Sequence, residues 1–373
     1  VYLSSVEATH VRSIRQAKVL LARDVTLITG PNGAGKTNLL EAVHLLGTLR
    51  PLTTSSPAEL VTHGEKQLAV EGTLRGGVFP LVVRLTITGS RRHAWVGGKP
   101  LRDAEGYLGT LATVAFTPDD LHLVKSGPVQ RRSFINRASC ELWPAARDEL
   151  RRYERALRQR AAALRRNARQ DVLEAVEAPL RLLATQVWRR RERTLEVVLP
   201  HAVRWLSTLL DGRVLDVRLQ PGVQGTAVDF AQLTDGDRDL ALQEGLGQAL
   251  EEDRRRASTS YGPHHDELDV VLDGQAARRF ASQGQQRCAA LALTLGVVDA
   301  VAAARGRPPL VLLDDVSSEL DEMRRRALFE ALALARCQVV ATATQVDLLP
   351  LPASFSGERR HYTAHAGSFE PTG

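Results

Sequence analysis

Cysteine is scarce: three residues in 373, Cys140, Cys288 and Cys337, with no C-x-x-C spacing and no histidine pair beside them. That excludes a zinc ribbon and a disulfide framework, and leaves the thiols as small buried hydrophobes. No run of about eighteen apolar residues occurs, so no membrane-spanning helix and no membrane partner are expected. Val1 to Ser13 alternate in polarity where a signal sequence would pass from charged to apolar. The chain therefore reads as soluble and cytoplasmic, and its start without methionine suggests trimming. Lysine is nearly missing too, confined to positions 18, 36, 66, 99 and 125, so the 49 basic residues are almost all arginine. Such a skew reads as genome composition, and arginine identity alone then proves nothing. No internal repeat or low-complexity tract stands out. What is present is ordinary for a globular protein: 43% hydrophobic residues and enough length for two or three domains' worth of core.

The most informative stretch is Gly30-Pro31-Asn32-Gly33-Ala34-Gly35-Lys36-Thr37, directly behind the apolar run Val25-Thr26-Leu27-Ile28-Thr29. It matches G-x-x-x-x-G-K-[ST], in which glycines leave backbone N–H groups free to wrap a triphosphate. Asn38 to Leu46 should be the helix that follows, its positive N-terminal end aimed at the phosphates. Gly30, Asn32, Gly33, Gly35, Lys36, Thr37 and Asn38 are the expected nucleotide contacts. Lys36 would hold the β/γ-phosphates and Thr37 would place its hydroxyl on Mg²⁺.

Around the loop, Val1 to Thr9 and Lys18 to Leu21 read as strands. The runs at 68–70, 81–87 and 94–96, turning at Gly97-Gly98, predict a small antiparallel sheet beside the nucleotide. Val114-Ala115-Phe116 reads as a buried strand, followed by a polar turn with an N-cap at Thr117 or an aspartate. From about Ser133 the periodicity is helical. Leu150, Tyr153, Leu157, Ala161 and Leu164 form one stripe, and Val172, Val176, Leu180, Leu183 and Val187 a second after a break near Asn167. Pro179 should kink or split the second helix, and a further helix should end at Asp211-Gly212. Val214 to Leu219 reads as a strand and Leu240 to Arg256 as one more helix. The tail from Ser354 onward shows little periodicity and is expected to be partly disordered. Between Arg131 and Arg193 there are seventeen arginines against eight acids, a concentration that fits a polyanion, most naturally nucleic acid. A merely solvated helix surface is the plainer alternative.

Two constellations lie towards the C-terminus. Leu310-Val311-Leu312-Leu313 runs into Asp314-Asp315, the pattern of a buried parallel strand presenting acids beside a phosphate loop. Asp314 is placed to hold Mg²⁺ with Thr37, and Asp315 to orient or deprotonate the attacking water. Ser282-Gln283-Gly284-Gln285-Gln286-Arg287 opens the apolar helix Cys288 to Ala304 and offers an anion site at its N-terminus, or simply a well-capped core helix. Asp273-Gly274 reads as the hairpin turn that leads into it.

The phosphate loop at 30–37, the serine-led signature at 282–287, the acidic strand at 310–315 and Ser318-Glu319-Leu320-Asp321 together resemble an ABC-type ATPase head. Within that class the chain resembles the RecF family of recombination-repair proteins over nearly its whole length. The specific likenesses are the signature, the stretch from Leu312 to Asp321, Gly262-Pro263-His264-His265-Asp266, Phe116 to Leu121, and Arg131-Arg132-x-Phe134. The fold implied is α/β: an ABC-type P-loop ATPase head with a mixed sheet and an antiparallel β lobe, plus an inserted helical arm. The head would comprise 1–132 and 258–373, and the arm, a short basic helical hairpin, 133–257.

The resemblance implies ATP and Mg²⁺ as cofactors and a homodimer formed on ATP binding. Ser282 of one copy, with Gly284 and Gln285, would meet the γ-phosphate held by Lys36 of the other; Asp321 would lie at that boundary. Hydrolysis would release the dimer. The partners implied are duplex DNA or single-strand/double-strand junctions and mediators of the RecR/RecO type, in a cytoplasmic, nucleoid-associated setting, with recombinase loading as the outcome. Arg151, Arg152, Arg155, Arg165 and Arg166 are the arm residues expected on DNA. Two departures stand out. Asp315 replaces the usual glutamate, which implies slow hydrolysis, and Thr344 occupies the position of the switch histidine. No glutamine-loop residue can be assigned. Among rivals, a chromosome tether of the SMC type needs hundreds of residues of coiled coil, whereas 244 residues separate Thr37 from Ser282. A transporter ATPase subunit would have little reason for an arginine-rich arm, and a metabolic kinase leaves Ser282 unexplained.

Overall fold

The structure is a computed structural model that describes all residues except 54–55, 102–104, 211, 224–229, 316–318, 350, 352–356 and 373. It is an ABC-type α/β head with a helical arm, and it divides into two compact units, Val1–Leu121 with Thr294–Gly373, and His122–Leu293. The expected arm, 133–257, lies inside the second unit. That unit also takes in 258–293, because Glu267–Leu272 pairs antiparallel with Leu215–Gln220 and packs on the helix Pro128–Leu142.

The first unit holds two six-stranded sheets. One is mixed. Arg359–His365, Val25–Thr29, Gln338–Ala343, Leu310–Asp314 and Thr113–Phe116 run parallel in that spatial order, and Ser368–Pro371 adds an antiparallel edge. Val25–Thr29, Leu310–Asp314 and Gln338–Ala343 are buried at every position, which is why their sequences are near-continuous apolar runs. The other sheet is antiparallel, in the order Ile14–Leu20, Tyr2–Val11, Gln67–Arg75, Leu81–Thr88, Arg91–Val96, Lys99–Pro100. Its buried face alternates along Gln67–Arg75, while a bulge between Leu3 and Ser5 shifts the register of the first strand. The helix Lys36–Thr48 packs against both sheets and is buried on almost every side. Gly72 allows this closeness, since a Cβ there would lie 2.8 Å from both Leu3 Cδ1 and Leu46 Cδ1.

The C-terminal expectation needs correction. Residues 359–371 form an ordered hairpin, Arg359–His365 with Ser368–Pro371, and its first strand pairs in parallel with Val25–Thr29. The segment is short and polar, and its pairing partner lies at the other end of the chain, so no local periodicity betrays it. Residues 354–356, where the expected disorder begins, fall outside the described residues.

In the second unit two long helices, Ala146–Arg165 and Gln170–Leu209, pair along the arm. The second continues unbroken through Pro179 and Pro200 for 40 residues and absorbs the separate helix expected before residue 211. The amide bond lost at Pro179, on the exposed side, costs about 3 kcal/mol. It is outweighed by the stripe Leu173, Leu180, Ala184, Val187 and Trp188, buried on both sides of Pro179, at about 1.5–3 kcal/mol for each large side chain. The span from 240 to 256 is broken at Ala249 into Asp235–Gln248 and Leu250–Arg256. Trp188 meets Phe230 edge-on, with ring centroids 4.9 Å apart, at the centre of the arm's core.

One described helix, Gln283–Arg305, is long and apolar enough to cross a membrane by length and composition, but its most apolar stretch is 72% buried inside the protein. It is a core helix, kept short of an unbroken apolar run by residues such as Thr294 and Asp299.

Candidate phosphate-binding site

Strand, loop and helix meet at Gly30–Thr37 in the expected order. Gly30, Gly33 and Gly35 have φ of 148°, 79° and 100°, values that favour glycine. The helix Lys36–Thr48 begins at Gly35 with no side-chain cap and no acid in its first turn. Its first amides have no intrahelical acceptor, so the positive end of the helix is open to an anion. Lys36 is buried and donates Nζ–H to the Gly30 and Pro31 carbonyls at 2.7 and 3.0 Å, which folds its ammonium back over the loop. Asn32 and Gly33 are exposed at the crest. Asn38 donates its amide to Ser13 Oγ at 2.7 Å.

Facing the loop from the neighbouring strand end, Asp314 Oδ1 accepts hydrogen bonds from Thr37 Oγ1 at 2.9 Å and Thr342 Oγ1 at 3.0 Å. Burial pushes the Asp314 carboxyl above the ordinary aspartate range, against those two hydrogen bonds and the charge of Lys36. A hydroxyl and a carboxylate converging in this way are hard oxygen donors of the kind Mg²⁺ takes, and a buried acid gains most from a cation. The residues present fit the ion. Asp315 has φ 47°, sparsely populated for a non-glycine residue, and its amide donates to Thr342 Oγ1 at 3.0 Å. Burial raises its pKa; Lys36 opposes this, and Asp314 and Glu319 add to it. Thr342 thus ties both acids together, a role the sequence did not signal. Thr344 is half-buried just beyond that strand. Val316, Ser317 and Ser318 lie outside the described residues. Asp321 is the N-cap of Glu322–Leu334, accepting from the Arg324 amide at 2.9 Å.

Ser282 and Gln285 form a reciprocal cap in the second unit. The Ser282 amide donates to Gln285 Oε1 at 2.8 Å, and the Gln285 amide to Ser282 Oγ at 3.3 Å. Ser282 remains exposed and Gly284 half-buried. Gln286 donates Nε2–H to the Ala277 and Ala281 carbonyls at 3.1 and 3.0 Å, holding the approach to the signature in shape.

The basic segment is less free than its composition suggests. Arg131 pairs with Glu267, Arg160 with Glu177 and Asp253, Arg181 with Asp239, Arg189 with Asp235, Arg190 with Glu149 and Arg191 with Asp266. Arg160 is fully buried, where the expected stripe had Leu157 and Ala161. Arg151 and Arg152 are exposed but both reach Asp148, at 2.7 and 2.5 Å. Among the described residues, Arg155, Arg158, Arg165 and Arg166 are exposed with no carboxylate in ion-pair range, and their spacing sets them on one side of the helix. His264 is engaged within the second unit. Its Nε2–H donates to the Thr259 carbonyl at 2.8 Å, so Nδ1 accepts from the Tyr153 hydroxyl at 2.6 Å, and burial pushes its pKa down to about 4. Asp266 accepts from Trp188 Nε1, the Gly222 amide and Arg191. The motif 262–266 is therefore a hydrogen-bonded lock inside the second unit, buried at Gly262, Pro263 and Asp266 and exposed at His265.

Known proteins match this arrangement. A family model described as an AAA domain matches residues 5–76. A DNA replication and repair protein RecF from Anaeromyxobacter sp. (strain Fw109-5) is 40% identical over 353 residues, 93% of each chain. The one from Myxococcus xanthus (strain DK1622) is 38% identical over 346 residues, 91% of this chain and 89% of its own. A solved structure of the recombination mediator protein RecF-ATPrS in the RecFOR pathway superimposes with a TM-score of 0.86 at 26% identity, covering 100% of this chain and 98% of that one. An Smc head bound to the C-winged helix domain of ScpA shares the fold alone, with a TM-score of 0.55 at 13% identity, covering 100% of this chain and 98% of that one.

Proposed function

The chain belongs to the RecF family of DNA replication and repair proteins, and from that premise we propose that it is an ATP-dependent DNA-binding protein of recombinational repair. Two copies close on nucleotide and reopen after slow hydrolysis. The observation that carries this reading is the convergence of Thr37 and Thr342 on Asp314 beside an uncapped helix N-terminus. Gly30, Asn32, Gly33, Gly35 and Asn38 wrap the triphosphate with backbone and side-chain donors, and Lys36 swings from its carbonyls onto the β/γ-phosphates. Thr37 and Asp314 hold Mg²⁺, which when bound neutralises charge on the phosphate oxygens. Asp315 accepts the proton of the attacking water; with one methylene fewer than glutamate it reaches less far, and turnover is slow. Ser282, with Gly284 and Gln285, meets the nucleotide of the second copy, and Asp321 lines that boundary.

In functional terms 1–132 and 258–373 act as the head and 133–257 as a basic arm. Arg155, Arg165 and Arg166 are the stronger DNA contacts of the five arm arginines, since Arg151 and Arg152 already share Asp148. Duplex DNA or single-strand/double-strand junctions, and mediators of the RecR/RecO type, are the partners. The protein acts in the cytoplasm at the nucleoid, and its outcome is a loaded recombinase. A transporter ATPase is not favoured, because relatives named for DNA replication and repair match nine-tenths of the chain.

Sedimentation with and without ATP-Mg²⁺ tests the reading, repeated for Ser282→Arg and Lys36→Arg and with duplex DNA added. ATP should produce a dimer that either substitution abolishes, and DNA should sediment with the wild type. A protein that stays monomeric in ATP and ignores DNA overturns it.

A further inference from the structure

The hairpin Arg359–His365 with Ser368–Pro371 does more than close a sheet edge. Thr363 is level with Thr29 in the parallel register, so the hairpin runs on past the end of Val25–Thr29 and lies alongside the phosphate loop. Four contacts fix it there. The Gly367 amide donates to the Ala34 carbonyl, inside the loop, at 2.9 Å. Ala364 O comes so near Gly30 that a Cβ on Gly30 would lie 2.4 Å from it. A Cβ on Gly35 would meet Gly367 Cα at 3.2 Å and Ser13 Oγ at 3.3 Å. His361 Nε2 and Thr29 Oγ1 share a hydrogen bond of 2.7 Å at the last strand residue before the loop. The turn itself is built for this approach: Ala366 and Gly367 both have positive φ, 48° and 84°, the pattern of a tight two-residue hairpin turn.

We propose that this C-terminal hairpin is a positioning element of the phosphate loop: it clasps Gly30–Gly35 from outside and holds the loop amides in the shape that takes a triphosphate. The proposal rests on the reading of 30–37 as a nucleotide cradle. It assigns Gly367 and His361 as positioning residues, which act through the loop and do not touch the nucleotide. A glycine-rich loop has many shapes open to it, and selecting one beforehand lowers the ordering cost of binding. Gly367 is suited to its place, since a Cβ there would lie 2.7 Å from Ser13 O.

The experiment uses the full chain. Affinity for a fluorescent ATP analogue, amide hydrogen exchange across 30–37, and melting without nucleotide are compared for wild type, Gly367→Val, His361→Leu, His361→Gln and Thr363→Ala. Gly367→Val and His361→Leu should weaken nucleotide binding about tenfold or more and speed exchange at 33–37 well below the melting point. His361→Gln, which can still bond Thr29, should restore most of the affinity. Thr363→Ala, whose hydroxyl bonds Thr372 on the exposed side, should bind as wild type does. Wild-type affinity and unchanged loop exchange in both disruptive variants would overturn the proposal while leaving the nucleotide reading intact. Should the wild type bind no nucleotide, that reading fails, and the exchange measurement alone decides the clasp. If Gly367→Val does not fold, the two His361 variants decide it.

Discussion

Asp314, the proposed Mg²⁺ ligand, shows how one buried acid is a cost to the empty fold. Its pKa is raised by burial, so across the interval above the ordinary aspartate value of about 3.9 the folded state binds more protons than the unfolded one. Stability contributed at this site therefore falls as pH rises through that interval. Calorimetry of the nucleotide-free protein should find Asp314→Asn melting about 2 °C above wild type at pH 7, with the difference shrinking towards pH 4. The same substitution should remove Mg²⁺-dependent nucleotide binding. Asp266, whose pKa burial also raises, is instead answered inside the fold. It is fully buried and answers Arg191, Trp188 and the Gly222 amide together. Asp266→Ala leaves a buried guanidinium without its carboxylate, and urea unfolding should report a loss of about 3–5 kcal/mol.

At the level of elements, the long arm helix carries a removable defect. Pro179 is exposed, while its neighbour Leu180 is buried in the arm core. Pro179→Ala restores one amide bond without touching the packed face, and denaturant unfolding should show a gain of about 2 kcal/mol. Much at this scale was legible in the sequence. The glycine loop, the apolar strand ending in Asp314, the Asp273-Gly274 turn and the bond from the Thr117 amide back to Asp120 are each written in fewer than about ten neighbouring residues, where local sterics and hydrogen bonding decide the outcome. What escaped depends on partners far along the chain. Arg160 sits at a helix position that pattern reading gives to the surface, and Glu177, Asp253 and Thr259 make its burial tolerable. Thr342 gains its role from the acids of another strand. The hairpin at 359–371 is polar and brief, and only the Val25–Thr29 strand gives it a place.

Across the whole molecule, the charge that counts for a polyanion is the part left after internal pairing. Arginines that answer Glu267, Asp253 or Asp266 are committed to the fold. Changing Arg155, Arg158, Arg165 and Arg166 together to glutamine should leave melting nearly unchanged. It should lower the dependence of log affinity for duplex DNA on log salt by about 3 to 4, at about 0.9 for each phosphate no longer neutralised. Fluorescence anisotropy over a salt series measures that slope, and an unchanged slope would move the DNA surface elsewhere. The order of strands in the mixed sheet also bears on how the protein is made. Val25–Thr29 is synthesised well before both of its neighbours, Gln338–Ala343 and Arg359–His365, which lie about 300 residues further along the chain. At about 5–20 residues per second, the strand that feeds the phosphate loop waits roughly 15–60 s for its flanks. Throughout that interval the nascent chain carries an apolar strand with two bare edges, the kind of surface that chaperones hold and that stalled or truncated products expose to aggregation.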